Sequence, residues 1–296
     1  MPRIYIFILT VALCVSPEIN RSTNGFAKDQ DLNAEKVVAE HLKSIGNPES
    51  LKGIKSRAFV GTSSADFFQG MQGSMTGASM FVSEGHRLAI VMKYGDINYP
   101  GEYLAFDDRD VSVGNMKPGQ RSPLADFIFR YKDLIKEGLL GGALSGSWPL
   151  LDLKDKQVEL KYRQTTIDGR QLLEIEYQPK QVLRDMKIRM YFEPETYHHV
   201  RTEYQVRHRD DVSVSETPQA GNGRFVLREG VADSIYDLIE KFEDFQKTGD
   251  ITLPHSYSID YSVEGQGASF VGKWTLKANQ WDFGKTYNER IFKAQK

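Results

Sequence analysis

Four side chains packed into "MYFEPETYHHVRTEYQ", residues 190–205, could do chemistry: Glu193, Glu195, His198 and His199. Two carboxylates beside two imidazoles are donor types for a zinc site or for a general acid–base pair. The spacing argues against both. Side chains alternate faces along a strand, so a strand over 197–207 sends His198 with Val200, Thr202 and Tyr204, and His199 with Arg201, Glu203 and Arg207. The two imidazoles then point apart. "EPET" reads as a tight turn, with Pro194 presetting one φ angle. The segment is expected to be a hairpin with Lys187, Arg189, Glu203 and Arg207 on its wet face, and no catalytic or metal role is assigned to it.

Other candidates carry no spacing signature. HExxH, GxSxG and GxxxxGK[ST] are absent. Ser145 in "GALSGSW" lacks the glycine two places before a nucleophile. Asp107, Asp108 and Asp110 surround Arg109 without the glycine and glutamate of a calcium loop, and read as a solvated turn. His255 follows Leu253 and Pro254 and reads as a half-buried strand histidine. No enzyme activity, cofactor or metal is expected.

The elements that would position these residues are mostly strands. "NAEKVVAEHLKSI" (33–45) is a helix capped by Asn33, with Ala34, Val37, Val38, Leu42 and Ile45 on one face and Gly46-Asn47-Pro48 as its stop. The period then changes to two: 54–61, a glycine-broken run 67–83, then 86–94, 102–106 and 110–114. A hairpin follows around Asp168-Gly169, with Leu173, Ile175 and Tyr177 on one face. Ile188, Met190 and Phe192 share a face, as do His255, Tyr257, Ile259, Tyr261 and Val263, and Phe270, Trp274 and Leu276. Residues 208–223 are polar and read as a long loop. One segment interrupts the meander. Residues 122–151 start with Ser122 as N-cap and Pro123 at the first helical position. Leu124, Phe127, Ile128, Tyr131, Leu134, Ile135 and Leu139 form an apolar stripe, and Gly138, Gly141, Gly142 and Gly146 loosen its exit. The fold class is mainly β (α+β): one large curved antiparallel sheet or unclosed barrel, with an N-terminal helix and an inserted apolar lid helix.

Composition bounds the setting. The chain has 296 residues, 40% hydrophobic and 26% charged, which is ordinary for a globular protein. Arg3 precedes "IYIFILTVALCV", too short for an ordinary membrane span, and Gly25 and Ala27 suit a signal-peptidase site. Residues 1–27 are read as a cleaved signal peptide, 28–296 as a single domain without a transmembrane span. Removing Arg3, Arg21 and Glu18 turns 38 basic and 40 acidic residues into 36 and 39, which gives no nucleic-acid footprint. The one cysteine, Cys14, follows Leu13 where lipid attachment wants a small residue, so cleavage is preferred to a lipid anchor at Cys14. The mature chain then has no cysteine for disulfides or thiolate chemistry.

The chain resembles the LolA/LolB-type outer-membrane lipoprotein-sorting superfamily. The likeness lies in the initial helix leading into a strand and in two hairpins. Phe192, Glu193, Pro194, Glu195, Thr196, Val200 and Arg201 match the first hairpin, and Phe242, Asp244, Phe245, Gly249, Leu253, Pro254 and His255 the second. It spans about 33–283. The resemblance implies an unclosed antiparallel barrel with helices over its mouth, holding acyl chains in the periplasm. No functional residue of the family is carried over.

On pattern alone a plain apolar core accounts for these faces better than a cavity does; the glycine-rich exit at 138–146 shifts the balance towards a lid. The expected function is a periplasmic carrier of lipid or lipidated protein, monomeric, with 124–139 as lid and Ile188, Met190, Phe192, Tyr257, Ile259 and Tyr261 as wall. An exported hydrolase using His255 or His199, and an envelope scaffold that docks other envelope proteins, stand as alternatives.

Overall fold

A computed structural model describes residues 32–153, 156–180, 183–212, 230–265 and 268–294. The expected signal peptide 1–27, with Cys14, lies outside the described residues. Twelve strands form one antiparallel sheet: β1 Ser56–Gln69, β2 Gly73–Glu84, β3 Arg87–Tyr94, β4 Gly101–Phe106, β5 Val111–Val113, β6 Val158–Ile167, β7 Arg170–Pro179, β8 Met186–Phe192, β9 His199–Val212, β10 Gly230–Thr248, β11 Ile251–Gly265 and β12 Ala268–Phe283. Their order is β5-β4-β3-β2-β1-β12-β11-β10-β9-β8-β7-β6. Two meanders are joined where β1 pairs with β12. The sheet ends in β5 on one side and β6 on the other and does not close among the described residues, as the alternation and turn signals led one to expect.

That order gives the inserted segment its place. It is the connection from one edge strand, β5, to the opposite edge strand, β6. It is also where the sequence reading needs correction. The single helix expected over 124–139 is two short ones, α3 Pro123–Arg130 and α4 Asp133–Lys136, followed by 3₁₀ turns at Gly142–Leu144 and Pro149–Leu151. Tyr131 leaves the helical region at φ −105°, ψ 45°, and the break lets Leu134, Ile135 and Leu139 all reach the core. Ser122 caps α3 as expected, its Oγ accepting from Ala125 N–H at 2.9 Å.

The N-terminal helix α1 (Ala34–Ile45) is capped by Asn33, which accepts from Lys36 N–H at 2.9 Å, and it buries Val37, Val38, His41 and Ile45. Asn47-Pro48 does more than end it: Asn47 caps a second helix, α2 (Pro48–Gly53). Four further boundaries differ. The expected strands at 54–61 and 67–83 resolve into a longer β1 that turns at 70–72 into β2. β9 continues to Val212 through the polar "HRDDV" because it pairs with β10 from Gly230 on; the rest of the expected 208–223 loop lies outside the described residues. β12 runs from Ala268 to Phe283, a little before the expected 270–276 and well beyond its C-terminal end. In the opening hairpin Tyr191 pairs with Arg201 but Phe192 pairs with His199, so a β-bulge intervenes. The bulge inverts the alternation and brings His199, not His198, to the inner face. The turn itself is as read: Tyr197 N–H donates to the Glu193 carbonyl and Glu193 N–H to that of His198.

The two faces of the sheet differ chemically. The outer face of β6–β10 carries a lattice of charges. Arg163 pairs with Glu174, Arg189 with Glu203, Arg201 with Glu203, and Lys241 of β10 reaches Asp260 of β11. On the outer side of β1–β3, Ala58, Val82 and Ala89 pack against Phe292 from the C-terminal turn Glu289–Phe292. The inner face is apolar and aromatic, and the inserted segment covers it.

Candidate binding site

The floor of the candidate site is the inner face of β8–β12 with β1 and β2. Ile188, Met190 and Phe192 stand on β8, Tyr257, Ile259 and Tyr261 on β11, and Phe242 on β10. The six expected wall residues therefore share the face they were assigned to, and all are buried. Aromatic pairs tie the strands together: Phe242 stacks on Tyr257 at 5.3 Å, and Phe59 on Phe81 at 5.6 Å.

The 122–151 segment lies on this floor. Leu124, Phe127, Ile128, Leu134, Ile135 and Leu139 are buried, while Tyr131 is half-exposed at the edge of the stripe. Phe127 packs 5.1 Å from Tyr261. Trp148 stacks on His199 at 4.8 Å and meets His41 edge-on at 5.0 Å. The glycines are not merely loose joints. A Cβ on Gly141 would come 2.9 Å from the Phe81 ring; one on Gly142 would come 2.8 Å from Phe242 and 2.9 Å from His199. Both hold positive φ angles, 88° and 49°. They let the backbone lie directly on the aromatic floor.

The seated backbone is held by side chains of the sheet. Gly141 N–H donates to Glu240 Oε1 at 2.7 Å. Gly146 N–H donates to Ser83 Oγ at 2.8 Å. Arg57 donates to the Ala143 carbonyl at 2.5 Å. The Tyr204 hydroxyl lies 2.8 Å from both the Leu139 carbonyl and Glu240 Oε2. These contacts fix the segment through few, discrete points rather than through a strand ladder.

Glu240 is the most informative of them, and nothing in the sequence reading singled it out. It sits between Leu238 and Phe242 in the inward register of β10 and is fully buried. An acid in an apolar alternation was the signal available. Its carboxyl makes three contacts, to Gly141 N–H, to the Tyr257 hydroxyl at 2.5 Å and to Tyr204. Counting the Tyr204–Leu139 contact, four contacts share only the hydrogens of Gly141, Tyr257 and Tyr204. A carboxyl proton on Glu240 supplies the fourth: Glu240 then donates to Tyr204, and Tyr204 donates to Leu139. Burial acts in the same direction, pushing the carboxyl up to about 7 against the hydrogen bonds it accepts from Tyr257 and Gly141. A second buried acid stands at the other end of the segment. Glu102 accepts from Tyr99 at 2.5 Å, bonds the α3 cap Ser122, and is raised by burial to about 7.

His41 and His199 are core residues, while His198 and His255 are half-buried. His41 donates from Nδ1 to the Tyr197 carbonyl at 2.7 Å, and burial holds it down at about 3. His199 Nε2 meets Thr202 Oγ1 at 2.8 Å, and burial together with nearby His41 holds it well below its usual value. His198 stacks on Phe245 at 4.2 Å. His255 Nε2 meets Thr248 Oγ1 at 3.0 Å. Glu193 accepts from Arg170 and Thr196. Among the described residues no three His, Cys, Asp or Glu side chains come together as a metal site. No helix there is long and apolar enough to cross a membrane.

Open cavities lie elsewhere. One of about 430 Å³ is bordered by Tyr177, Lys180, Arg184 and Ile188 at the β7–β8 end. Another of about 430 Å³, on the outer face, is bordered by Glu243, His255 and Lys277. A smaller one of about 200 Å³ touches Tyr261 and exposed Phe68. None of these borders the stripe from Leu124 to Leu139, whose space is filled by the chain itself.

The class defined here is an unclosed antiparallel half-barrel whose edge-to-edge connection fills its own apolar trough. No family model matches the chain, and no curated protein matches it. Among solved structures it is remotely similar to a DUF1329 family protein from Desulfovibrio piger, with 9% identity over 88% of this chain and 96% of that one and a TM-score of 0.39. It is also similar to the MucA/MucB complex of Pseudomonas aeruginosa, with 8% identity over 82% of this chain and 94% of that one and a TM-score of 0.22. A further structure, of MucB with MucA(peri), gives 7% identity over 82% and 92%, with a TM-score of 0.21. Likeness at this level assigns neither family nor activity.

Proposed function

We propose that this chain is an exported, non-catalytic binding protein that takes the acyl chain of a lipid or lipidated protein into the trough now filled by residues 122–151. The observation that carries the reading is the manner of filling. An apolar segment lies on an aromatic floor, held by side-chain contacts at Gly141, Gly146, Ala143 and Leu139 rather than by strand pairing. Lifting it leaves the sheet's own ladders intact and opens a trough between Phe192, Phe242, Tyr257 and Ile259.

The energetics suit a carrier. Burying an acyl chain is worth about 0.8 kcal/mol per methylene, so ten methylenes supply roughly 8 kcal/mol. The displaced segment gives back part of that by repacking when the ligand leaves, which keeps release within reach. The leader-like N-terminus supports a periplasmic setting, and the charged outer face supports a monomer that keeps its lipid inside. Envelope donors and acceptors of the cargo are its expected partners. The test is mass spectrometry of organic extracts from the purified mature protein. Stoichiometric acyl lipid is expected; a protein that stays empty after exposure to lipid micelles would sink the reading.

A further inference from the structure

An acid in the middle of an aromatic wall is costly, and an apolar core would be served by leucine at that position. Glu240 is there with two tyrosines, Tyr204 from β9 and Tyr257 from β11, all three essentially without solvent exposure. What the trio binds in this structure is a stretch of peptide: the Leu139 carbonyl, 2.8 Å from Tyr204, and the Gly141 N–H, 2.7 Å from Glu240. These belong to adjacent amide groups. Around them, Thr202, opposite on β9, bonds His199 and also the Tyr204 hydroxyl, and Arg57 of β1 bonds the Ala143 carbonyl.

If the segment lifts, the trio faces the trough with one donor and one acceptor unmatched. Only a ligand with the same pair of groups restores them. We propose that Glu240, Tyr204 and Tyr257 form a headgroup-reading site, in which Tyr204 donates to a ligand carbonyl and Glu240 accepts from the N–H of the following amide. The inference rests on the acyl-binding reading and deepens it: the preferred ligand is an acyl chain with an amide head, and matched esters are discriminated against. Leu139 and Gly141 act as the internal stand-in for that head while the trough is filled. An ester oxygen has no hydrogen to give and sets its own lone pairs against Glu240 Oε1, which keeps only the Tyr257 hydroxyl as a donor, and sites built to bond an N–H reject analogues that lack it.

Two probes separate the ideas: dodecanoylglycine N-methylamide and dodecanoylglycine methyl ester, which differ only at the N–H that would replace that of Gly141. Both are titrated calorimetrically into the purified mature protein, its Glu240→Gln variant and its Glu240→Leu variant. The wild type is expected to bind the amide about tenfold tighter or more. Glu240→Gln keeps an acceptor at Oε1 and a donor towards Tyr204, so a preference retained there and lost in Glu240→Leu supports the site, while loss in both counts against an Oε1 acceptor; circular dichroism checks that each variant is folded. Glu240→Leu should bind both with equal affinity. Equal binding of the two probes by the wild type would overturn the headgroup site while leaving the acyl trough standing. Binding of neither would overturn both.

Discussion

The backbone N–H of Gly141 donates to Glu240 Oε1 at 2.7 Å inside an otherwise apolar wall. Here a connection between the two edge strands of the sheet is fastened to the middle of its inner face. The fastening is a network of Glu240, Tyr204 and Tyr257 with three donor hydrogens for four contacts, and a proton on the carboxyl supplies the fourth.

Stability should follow the chemistry of that carboxyl. Glu240→Gln reproduces the protonated form, with its amide donating to Tyr204, and is expected to change stability by less than about 1 kcal/mol. Glu240→Leu leaves Gly141 N–H and Tyr257 without an acceptor and should cost about 2 kcal/mol or more. Urea unfolding followed by circular dichroism measures both. Equal stability of the two variants would remove Glu240 from its anchoring role.

The pH profile gives an independent check. Glu240 and Glu102 are raised from 4.5 to about 7, so their protonation favours the fold; that contribution is full below about 4.5 and is lost as pH rises through 7. His41, lowered to about 3, and His199, lowered well below 6.5, act oppositely: their contribution is present above 6.5 and is lost as pH falls. Between 4.5 and 6.5 the two effects offset each other. Glu240→Gln removes one carboxyl from the balance, so its Tm should drop more steeply than the wild type's from pH 6.5 to 4.5. Parallel Tm profiles would show that Glu240 takes up no proton on folding.

Gly142→Ala tests whether the segment competes with ligand. The added methyl meets Phe242 and His199 within 3 Å at a positive φ, which should destabilise the seated segment by about 1–3 kcal/mol. Ligand affinity scales with the fraction of molecules whose trough is open. The variant is therefore expected to be less stable yet to bind acyl probes several-fold tighter, read by calorimetry. Weaker binding in step with lost stability would mark residues 139–148 as plain core.

Much of the fold was legible because its signals are local. Asn33 and Ser122 cap the helices they were expected to cap, the Asp168-Gly169 turn joins β6 to β7, and alternation places Met190, Phe192, Tyr257 and Ile259 on one buried face. Alternation failed at His199, where a bulge between β8 and β9 shifts the count by one, a property of the pairing rather than of either strand. The seat of residues 139–151 was not legible either. Glycine, leucine and tryptophan there read as a loose apolar exit; that they lie against Phe81, Phe242 and His199 follows from contacts about 50 to 100 residues away in sequence. Glu240 could have been noticed as an acid between Leu238 and Phe242, but its partners come from three different elements.

Amide hydrogen exchange at residues 139–148, with and without saturating dodecanoylglycine N-methylamide, reads the displacement itself. Ligand should speed exchange at Gly141 and Gly146 as they leave Glu240 and Ser83, while the ladders of β9, β10 and β11 stay protected. Bound ligand with undiminished protection at Gly141 and Gly146 would mean that the trough stays filled and that the acyl chain sits somewhere else.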